Sequence, residues 1–228
     1  VLDKEQYTYF QKESTISPLE NQILGGILSH HFFTEKYISD FFNKLKNQKP
    51  SVIVILSPNH FYAGSAPIAV SRLPYQTPWG QINPALDIID KLEEDKTVRT
   101  DEYIFNREHG ISVPVGFLPK VFPSAKIVPI AIKRFVNEEQ MANLATKLDE
   151  VLPQDALVLA SIDFSHHLNI HSTTYHDAVS EAALKASDFA SIYNLEIDSP
   201  PSLYAFLKYM ELRSGNLADL VHSDQSQI

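Results

Sequence analysis

Histidines follow three apolar runs of the sequence, and they are the side chains best suited to do chemistry. His30, His60 and His166 each come a few residues after a run of buried-looking side chains. If these runs are strands pointing the same way, their carboxyl ends gather at one edge of a sheet. The histidines would then meet in one pocket, where imidazoles and a carboxylate form a metal site or an acid–base site.

His30 and His60 are the candidates for metal binding. Imidazole is a common ligand of iron, copper and zinc, and a carboxylate or a third histidine would complete a site with these two. Taken singly, each also fits a hydrogen-bonded core or surface residue, because the sequence has no short-range motif such as His-Glu-x-x-His. The chain has no cysteine, so any metal must be held by His, Asp, Glu or water.

His109 and Asp163 are the candidates for acid–base work. Glu108 and His109 open a predicted helix, where a carboxylate is also favoured simply by the helix dipole. The functional interpretation makes His109 a general acid or base, or a group that positions a substrate. Asp163 ends a predicted strand, and its carboxylate either fixes the tautomer of His166 or caps the following turn. The sequence leaves both interpretations open.

A serine hydrolase is a third kind of site that these residues allow, with Ser161 or Ser165 as the nucleophile. Hydrolases on α/β folds place that serine in a Gly-x-Ser-x-Gly turn, which this chain lacks. We therefore expect metal or metal-assisted acid–base chemistry instead.

The composition limits the classes of partner. The net charge is −9, from 28 acidic and 19 basic side chains, which argues against a nucleic-acid partner because phosphates bind to basic surfaces. No apolar run approaches the ~20 residues of a membrane span, so we expect no membrane partner and a cytoplasmic protein. The chain begins with Val1 rather than methionine, and a leader removed before it would also fit the sequence.

Apolar strands alternate with amphipathic helices along the chain, as is typical of α/β domains. We predict one domain over residues 1–228, a single three-layer α/β/α domain with a mostly parallel or mixed central sheet. Trp79 either anchors a loop against the core or forms the wall of a substrate pocket. The predicted strands are 23–28, 51–56, 67–70, 126–132 and 156–162, the predicted helices are 34–45, 84–92, 108–122, 138–151, 173–184 and 200–212, and 73–80 is a predicted loop.

Five short motifs, in order along residues 20–215, resemble those of the Memo family, including its prokaryotic members of the AmmeMemoRadiSam system protein B type. Each motif is weak by itself, and the order of all five is specific. The matching segments are Ser29-His30-His31-Phe32, Ser57-Pro58-Asn59-His60, Thr77-Pro78-Trp79-Gly80, Glu108-His109-Gly110-Ile111-Ser112 with Phe117-Leu118, and Ser161-Ile162-Asp163-Phe164-Ser165-His166.

The resemblance implies a fold similar to that of the class III extradiol dioxygenases, which are non-haem iron enzymes. It implies a pocket built from the members of these motifs that can do chemistry, namely His30, His60, His109, Asp163 and His166. In the family a cysteine near the start of the last helix completes a His-His-Cys cluster. Here Asp198 or Ser199 falls near that place. The family's final strand, expected after Asp224, is not evident.

Two functional hypotheses follow from these motifs. The first is a non-haem, metal-dependent oxidoreductase that holds iron or copper through His30, His60 and Asp198 and uses His109, Asp163 and His166 as catalytic groups. The alternative is a non-catalytic module that binds a peptide or small molecule in the same cleft. In either case the expected partners are a small-molecule or peptide ligand, and the resemblance adds AMMECR1-type and radical-SAM companion proteins.

Overall fold

The apolar runs form a central sheet, and helices cover both of its faces. The computed structural model describes residues 3–12, 14–94, 96–165 and 167–215. Within these ranges the strands are β1 (Gly25–Leu28), β2 (Val52–Pro58), β3 (Ile68–Val70), β4 (Tyr75–Thr77), β5 (Gly80–Ile82), β6 (Arg99–Thr100), β7 (Lys126–Ile132) and β8 (Leu157–Ser161). The helices of the same ranges are α1 (Glu35–Lys44), α2 (Leu86–Glu93), α3 (Glu102–Phe105), α4 (His109–Val115), α5 (Leu118–Val121), α6 (Glu138–Val151), α7 (Ile170–Ala186) and α8 (Pro200–Leu212), with 3₁₀ segments at Lys4–Gln6, Phe32–Thr34 and Phe189–Asn194.

The described part of the chain forms a mixed six-stranded sheet with the order β1-β8-β2-β7-β3-β6. Neighbouring strands run parallel, except that β3 is antiparallel to β7. The predicted α/β/α class with a mostly parallel or mixed sheet is therefore confirmed. Because β1, β8 and β2 are adjacent and parallel, their carboxyl ends lie side by side at one edge.

Alternate residues of β2 pack into two separate apolar cores, one on each face of the sheet. Val52, Val54 and Leu56 face a core completed by α2, α6 and α8. Ile53 and Ile55 face a second core, completed by α1, the short helices α3 to α5 and the amino-terminal segment. Both faces of β2 are thus buried, which is why the sequence of this strand begins with an uninterrupted apolar run.

The amino-terminal segment, residues 3–12, is held against the second core by a buried carboxylate. Glu35, at the start of α1, accepts hydrogen bonds from the backbone amides of Tyr9 and Phe10 at 3.0 and 2.8 Å and from Ser39 Oγ at 2.9 Å. These bonds satisfy amides that belong to no helix or strand. The segment is thereby fixed along the side of the fold.

Aromatic rings complete the attachment of this segment. Tyr7 packs edge-on against Phe117 with ring centroids 5.0 Å apart, and Phe10 lies 5.8 Å from Trp79. Trp79 therefore anchors its loop to the core of the described structure, which is the first of the two roles expected for it. Lys120 lies over both Phe10 and Trp79, at 4.3 and 4.6 Å from the ring centroids.

The predicted loop at 73–80 is wrong, because β4 and β5 form a two-stranded antiparallel hairpin there. Each strand has only three residues, too few to show an alternating pattern in the sequence. Gly80 has φ 130°, a conformation that favours glycine, and Thr77 Oγ1 donates to its carbonyl at 2.8 Å. Of the prolines and the glycine of this segment, Pro74 precedes β4, Pro78 lies in the turn and Gly80 begins β5.

The single helix predicted over 108–122 is also wrong, since α4 ends at Val115 and α5 begins at Leu118. Pro114 lies inside α4 rather than in its first turn, and Pro119 follows in α5. Each proline removes an amide donor that a continuous helix would use. The periodic apolar face persists across the break, which explains why the pattern suggested one helix.

In the described ranges, none of the helices is both long enough and apolar enough to cross a lipid bilayer. The strand expected after Asp224 lies outside the described residues.

Candidate metal centre

Side chains from the ends of three adjacent strands meet at the carboxyl edge of the sheet. His30 follows β1, Asp163 follows β8 and His60 follows β2. The rings of His30 and His60 lie 4.8 Å apart between centroids, at 84° to each other. The expected convergence of distant histidines is therefore present for these two.

His109, the first residue of α4, joins the same cluster. Its ring stacks on that of His60 at 4.1 Å and lies 5.2 Å from that of His30. Each of the three residues offers a nitrogen within 4.8 Å of the other two. The exposed fraction of the side chain rises from 0% at His30 through 22% at His60 to 37% at His109, so the cluster opens to solvent on the His109 side.

Asp198 brings a carboxylate to the same point. Its Oδ2 lies 3.2 Å from His30 Nε2 and 3.6 Å from His60 Nε2. Both oxygens of Asp198, and Nε2 of His30, are buried and make no hydrogen bond to a described residue. Burying such groups without a partner is costly, and a cation between them would satisfy all of them. The donor set therefore fits a metal ion.

Backbone contacts hold Asp198 in place. The amide of Asp198 donates to the carbonyl of Asp163 at 3.1 Å. From the end of β7, Arg134 Nη1 donates to the carbonyls of Ile197 and Asp198 at 2.7 and 3.1 Å. These contacts tie the connection between α7 and α8 to two strand ends, so that the carboxylate faces the histidines.

Ser161 sets the tautomer of His30. Pro114 has no amide hydrogen, so the carbonyl of Gly110 accepts instead from Ser161 Oγ, at 2.6 Å. With its proton committed there, Ser161 Oγ can only accept from His30 Nδ1, 3.4 Å away. His30 therefore carries a proton on Nδ1. Its Nε2 needs either a second proton or a cation in order to face Asp198.

Glu108 orients His60 in a similar way. Its Oε1 lies 2.6 Å from His60 Nδ1, and its Oε2 accepts from the His60 amide at 2.9 Å. Glu108 Oε1 also accepts from the amide of Gly110 at 2.9 Å and so caps α4. The buried carboxylate keeps the proton of His60 on Nδ1 and turns Nε2 toward the cluster, as a second-layer carboxylate does beside a metal-bound histidine.

His31 and Asp163 form a second pair beside the cluster. His31 Nδ1 contacts Asp163 Oδ2, and the same oxygen lies 3.3 Å from His30 Nε2. This contact raises the pKa of His31 above its ordinary value. Burial would raise the pKa of Asp163, but contact with His31 and the neighbouring ring of His30 outweigh it and hold that pKa well below its usual range. Asp163 is thus a carboxylate at neutral pH.

The pKa values of the stacked rings of His60 and His109 are shifted in opposite directions. Burial lowers the pKa of His60, but its contacts with Asp198 and Glu108 outweigh this and raise it to about 9. Burial, followed by the positive charge of His60, lowers the pKa of His109 to about 4. For Asp198, burial is outweighed by the facing rings of His30 and His60, which lower its pKa. At neutral pH the charge of His60 therefore lies beside a neutral His109, and a cation bound at His60 Nε2 would take the place of the second proton of that ring.

Of the residues singled out from the sequence, the structure brings together His30, His60, His109, Asp163 and Asp198. His166 lies outside the described residues. Among the described residues, the side chain of Asp163 contacts His31 and lies near His30, whereas Glu108 and Ser161 fix the tautomers of His60 and His30. Sequence reasoning missed these orienting roles, since Glu108 acts on a residue 48 positions away and Ser161 on one 131 positions away.

A protein-family model described as Memo-like protein matches residues 9–214. The chain belongs to the Memo-like family. MEMO1 family proteins of Pyrobaculum aerophilum and Thermotoga petrophila are 28% and 30% identical to it over 184 and 172 residues. The alignments cover 78% and 73% of this chain but 65% and 61% of those relatives, so the chain spans less than two thirds of their length.

A solved structure of an uncharacterized protein from Escherichia coli K12 is similar to this member of the family, with a TM-score of 0.51 and 18% sequence identity. The similarity covers 75% of this chain and 79% of that chain. At this level of identity it shows the shared fold alone.

Proposed function

We propose that the histidine pocket holds a redox-active metal ion and that the chain is a non-haem, metal-dependent oxidoreductase. His30, His60 and Asp198 are the ligands, each through the atom that faces the other two. The observation that carries this proposal is three buried atoms without a hydrogen bond to a described residue, His30 Nε2 and the two carboxylate oxygens of Asp198. Of these two oxygens, Oδ2 faces both His30 Nε2 and His60 Nε2.

The chemistry of the ligands favours iron(II) over copper. Two imidazoles and one carboxylate form the ligand set of many non-haem iron(II) oxygenases, whereas copper(I) is selected by sulfur ligands. The chain has no cysteine. Met141, one of its two methionines, is buried in the core formed with α2, α6 and α8. A bound iron ion would supply a Lewis acid and an open coordination position for dioxygen or substrate.

His109 and Asp163 act on the substrate side of the pocket. His109 is stacked on His60 and exposed enough to meet a substrate, so its imidazole is placed to exchange a proton with that substrate. Asp163 holds His31 at the rim and contributes negative charge beside His30. His166 is proposed as a further acid–base group from its position in the family motif.

Metal content tests the proposal. Purified protein, freed of metal and then incubated anaerobically with iron(II) or copper, is expected to retain about one equivalent of iron. His30→Ala, His60→Ala and Asp198→Asn should each lose most of it. His171→Ala, which changes an exposed histidine on α7, should retain it.

Circular dichroism of each variant shows whether the fold is intact. Equal occupancy in all four variants would refute the ligand assignment. A protein that takes up no metal but binds a peptide or small molecule in this cleft would support the non-catalytic module instead.

A further inference from the structure

Two phenylalanines are exposed beside the histidine pocket, one on each of the two loops that carry a histidine proposed as a ligand. Phe33 follows His30 and His31 after β1 and is 66% exposed, while Phe61 follows His60 after β2 and is 54% exposed. Burying a phenylalanine side chain stabilises a protein by roughly 1.5–3 kcal/mol. Because more than half of each side chain stays exposed, most of that stabilisation remains available to a bound partner.

The two phenylalanines and two histidines form a row of four rings across the opening of the pocket. Phe33 lies 5.3 Å from His31, His31 lies 5.8 Å from His109, and His109 lies 6.3 Å from Phe61. His31 and His109 have side chains that are 32% and 37% exposed, against 0% for His30 below them. The row therefore lies on the exposed side of the cluster that contains His30 and His60.

A cation ends the row. The guanidinium of Arg107 lies 5.7 Å from the centroid of Phe61, and Arg107 is exposed. Among the described residues no carboxylate lies within 4.0 Å of it, although the chain carries a net charge of −9. An arginine held over an aromatic ring, with its donors uncommitted, suits the bidentate recognition of a carboxylate or another planar anion.

We propose that the substrate of this pocket is a small aromatic anion, whose ring packs on the row formed by Phe33, His31, His109 and Phe61 and whose anionic group binds Arg107. The proposal rests on the function proposed above and names its substrate class. A protein partner fits less well, because two partly exposed phenylalanines offer a few hundred Å² at most. Stable protein interfaces bury about 1,200 Å² or more.

The proposal predicts a preference for negative charge that depends on Arg107 alone. By isothermal titration calorimetry, without metal and with a chelator present, the protein is expected to bind naphthoate about tenfold more tightly than the neutral naphthamide. Arg107→Gln should abolish this preference. Arg99→Gln, which changes an exposed arginine of the edge strand β6, should leave it intact.

The aromatic row is tested with the same two probes. Phe33→Ala and Phe61→Ala should each weaken the binding of both probes about fivefold, because each removes one ring contact. Tyr175→Ala, equally exposed at 66% but located on α7, should change neither affinity. Loss of naphthoate binding in the Tyr175 variant alone, or an unchanged preference in Arg107→Gln, would overturn the proposal.

Two further measurements separate this proposal from the metal proposal. Iron uptake by Phe33→Ala, Phe61→Ala and Arg107→Gln should equal that of the unchanged protein, since none of these residues holds the ion. If the chain takes up no iron but discriminates naphthoate through Arg107, the substrate class stands and the metal does not. Tighter binding of an uncharged aromatic peptide amide than of naphthoate would favour a peptide partner and refute the anion.

Discussion

At the scale of single residues, each imidazole of the pocket depends on one neighbour for its orientation. Ser161 accepts from His30 and Glu108 accepts from His60, in each case at Nδ1, so that both Nε2 atoms face Asp198. The arrangement of Ser161 depends in turn on Pro114, which leaves the Gly110 carbonyl available. A proline that interrupts α4 thereby helps to set a tautomer on a neighbouring strand end.

Replacing Glu108 by glutamine should weaken metal binding about 10- to 100-fold, as is typical when the partner of a metal-bound histidine is changed. The amide still offers an oxygen to the Gly110 backbone, so the cap of α4 should persist. The measurement is a competition titration of iron(II) against a chelator, with thermal unfolding followed in parallel.

Glu102→Gln is the matched control for this prediction. Glu102 also accepts from a backbone amide and a hydroxyl, those of Arg72 and Ser71 at 2.7 and 2.6 Å, without contact to a histidine. An affinity in Glu108→Gln equal to that of the control would contradict the orienting role.

The sequence alone predicted where the pocket lies better than it predicted the hydrogen bonds that orient the side chains of the pocket. His30, His60 and Asp163 follow apolar runs, and the rule that parallel strands end at one edge was enough to bring them together. His109 was a candidate from its place at a helix start, but only the family motifs placed it, and Asp198, in the pocket. The contacts of Glu108, Ser161 and His31 with their partners could not be predicted, because they depend on the order of strands and on the rotamers of single side chains.

At the scale of elements, long periodic segments were predictable and short ones were not. Four apolar residues recur at helical spacing on α6, and all of them are fully buried: Met141, Leu144, Ala145 and Leu148. By contrast, β4, β5 and β6 have two or three residues each, and their formation depends on neighbours distant in sequence. The break between α4 and α5 arises from two prolines whose effect a periodic pattern does not show.

Replacing Glu35 by glutamine should release the amino-terminal segment from α1. The amide nitrogen of glutamine would face a backbone amide that now donates to a carboxylate oxygen, at a cost of about 1–3 kcal/mol in the free energy of unfolding. Urea denaturation gives this value, and limited proteolysis should show faster cleavage within residues 3–12.

The control for this variant lies on the same helix. Asp40→Asn removes an exposed ion pair with Lys36, which is worth less than about 1 kcal/mol. If the two variants lose the same stability and are cleaved at the same rate, Glu35 does not hold the segment.

At the scale of the whole molecule, the buried tyrosines make the fold sensitive to alkali. Burial, followed by the charge of Glu35, raises the pKa of Tyr7 from 10.0 to about 12, and burial also raises the pKa values of Tyr75, Tyr193 and Tyr209. The folded state favours the neutral phenol. The contribution of Tyr7 to stability is therefore complete below pH 10, falls as Tyr7 of the unfolded chain ionises, and is gone above about pH 12.

Tyr7→Phe isolates one part of this effect. Between pH 9 and pH 12 the free energy of unfolding of this variant should fall by about 2 kcal/mol less than that of the unchanged protein. Urea titrations across this pH range measure the difference. Tyr103→Phe, at a position 72% exposed, should follow the unchanged protein, and identical curves for all three proteins would exclude Tyr7 as a source of the alkaline loss.

Asp198 reaches the pocket from a late part of the polypeptide, far from the first histidine that it faces. A ribosome releases His30 well before the connection between α7 and α8 has been synthesised, since chains fold from the amino terminus during synthesis. In the growing chain the histidines are therefore present before Asp198. They are also present before Arg134 can donate its hydrogen bonds to the backbone of the loop that carries Asp198. Under the proposed function, all three ligands can hold the ion only after this connection has been synthesised and α8 has docked.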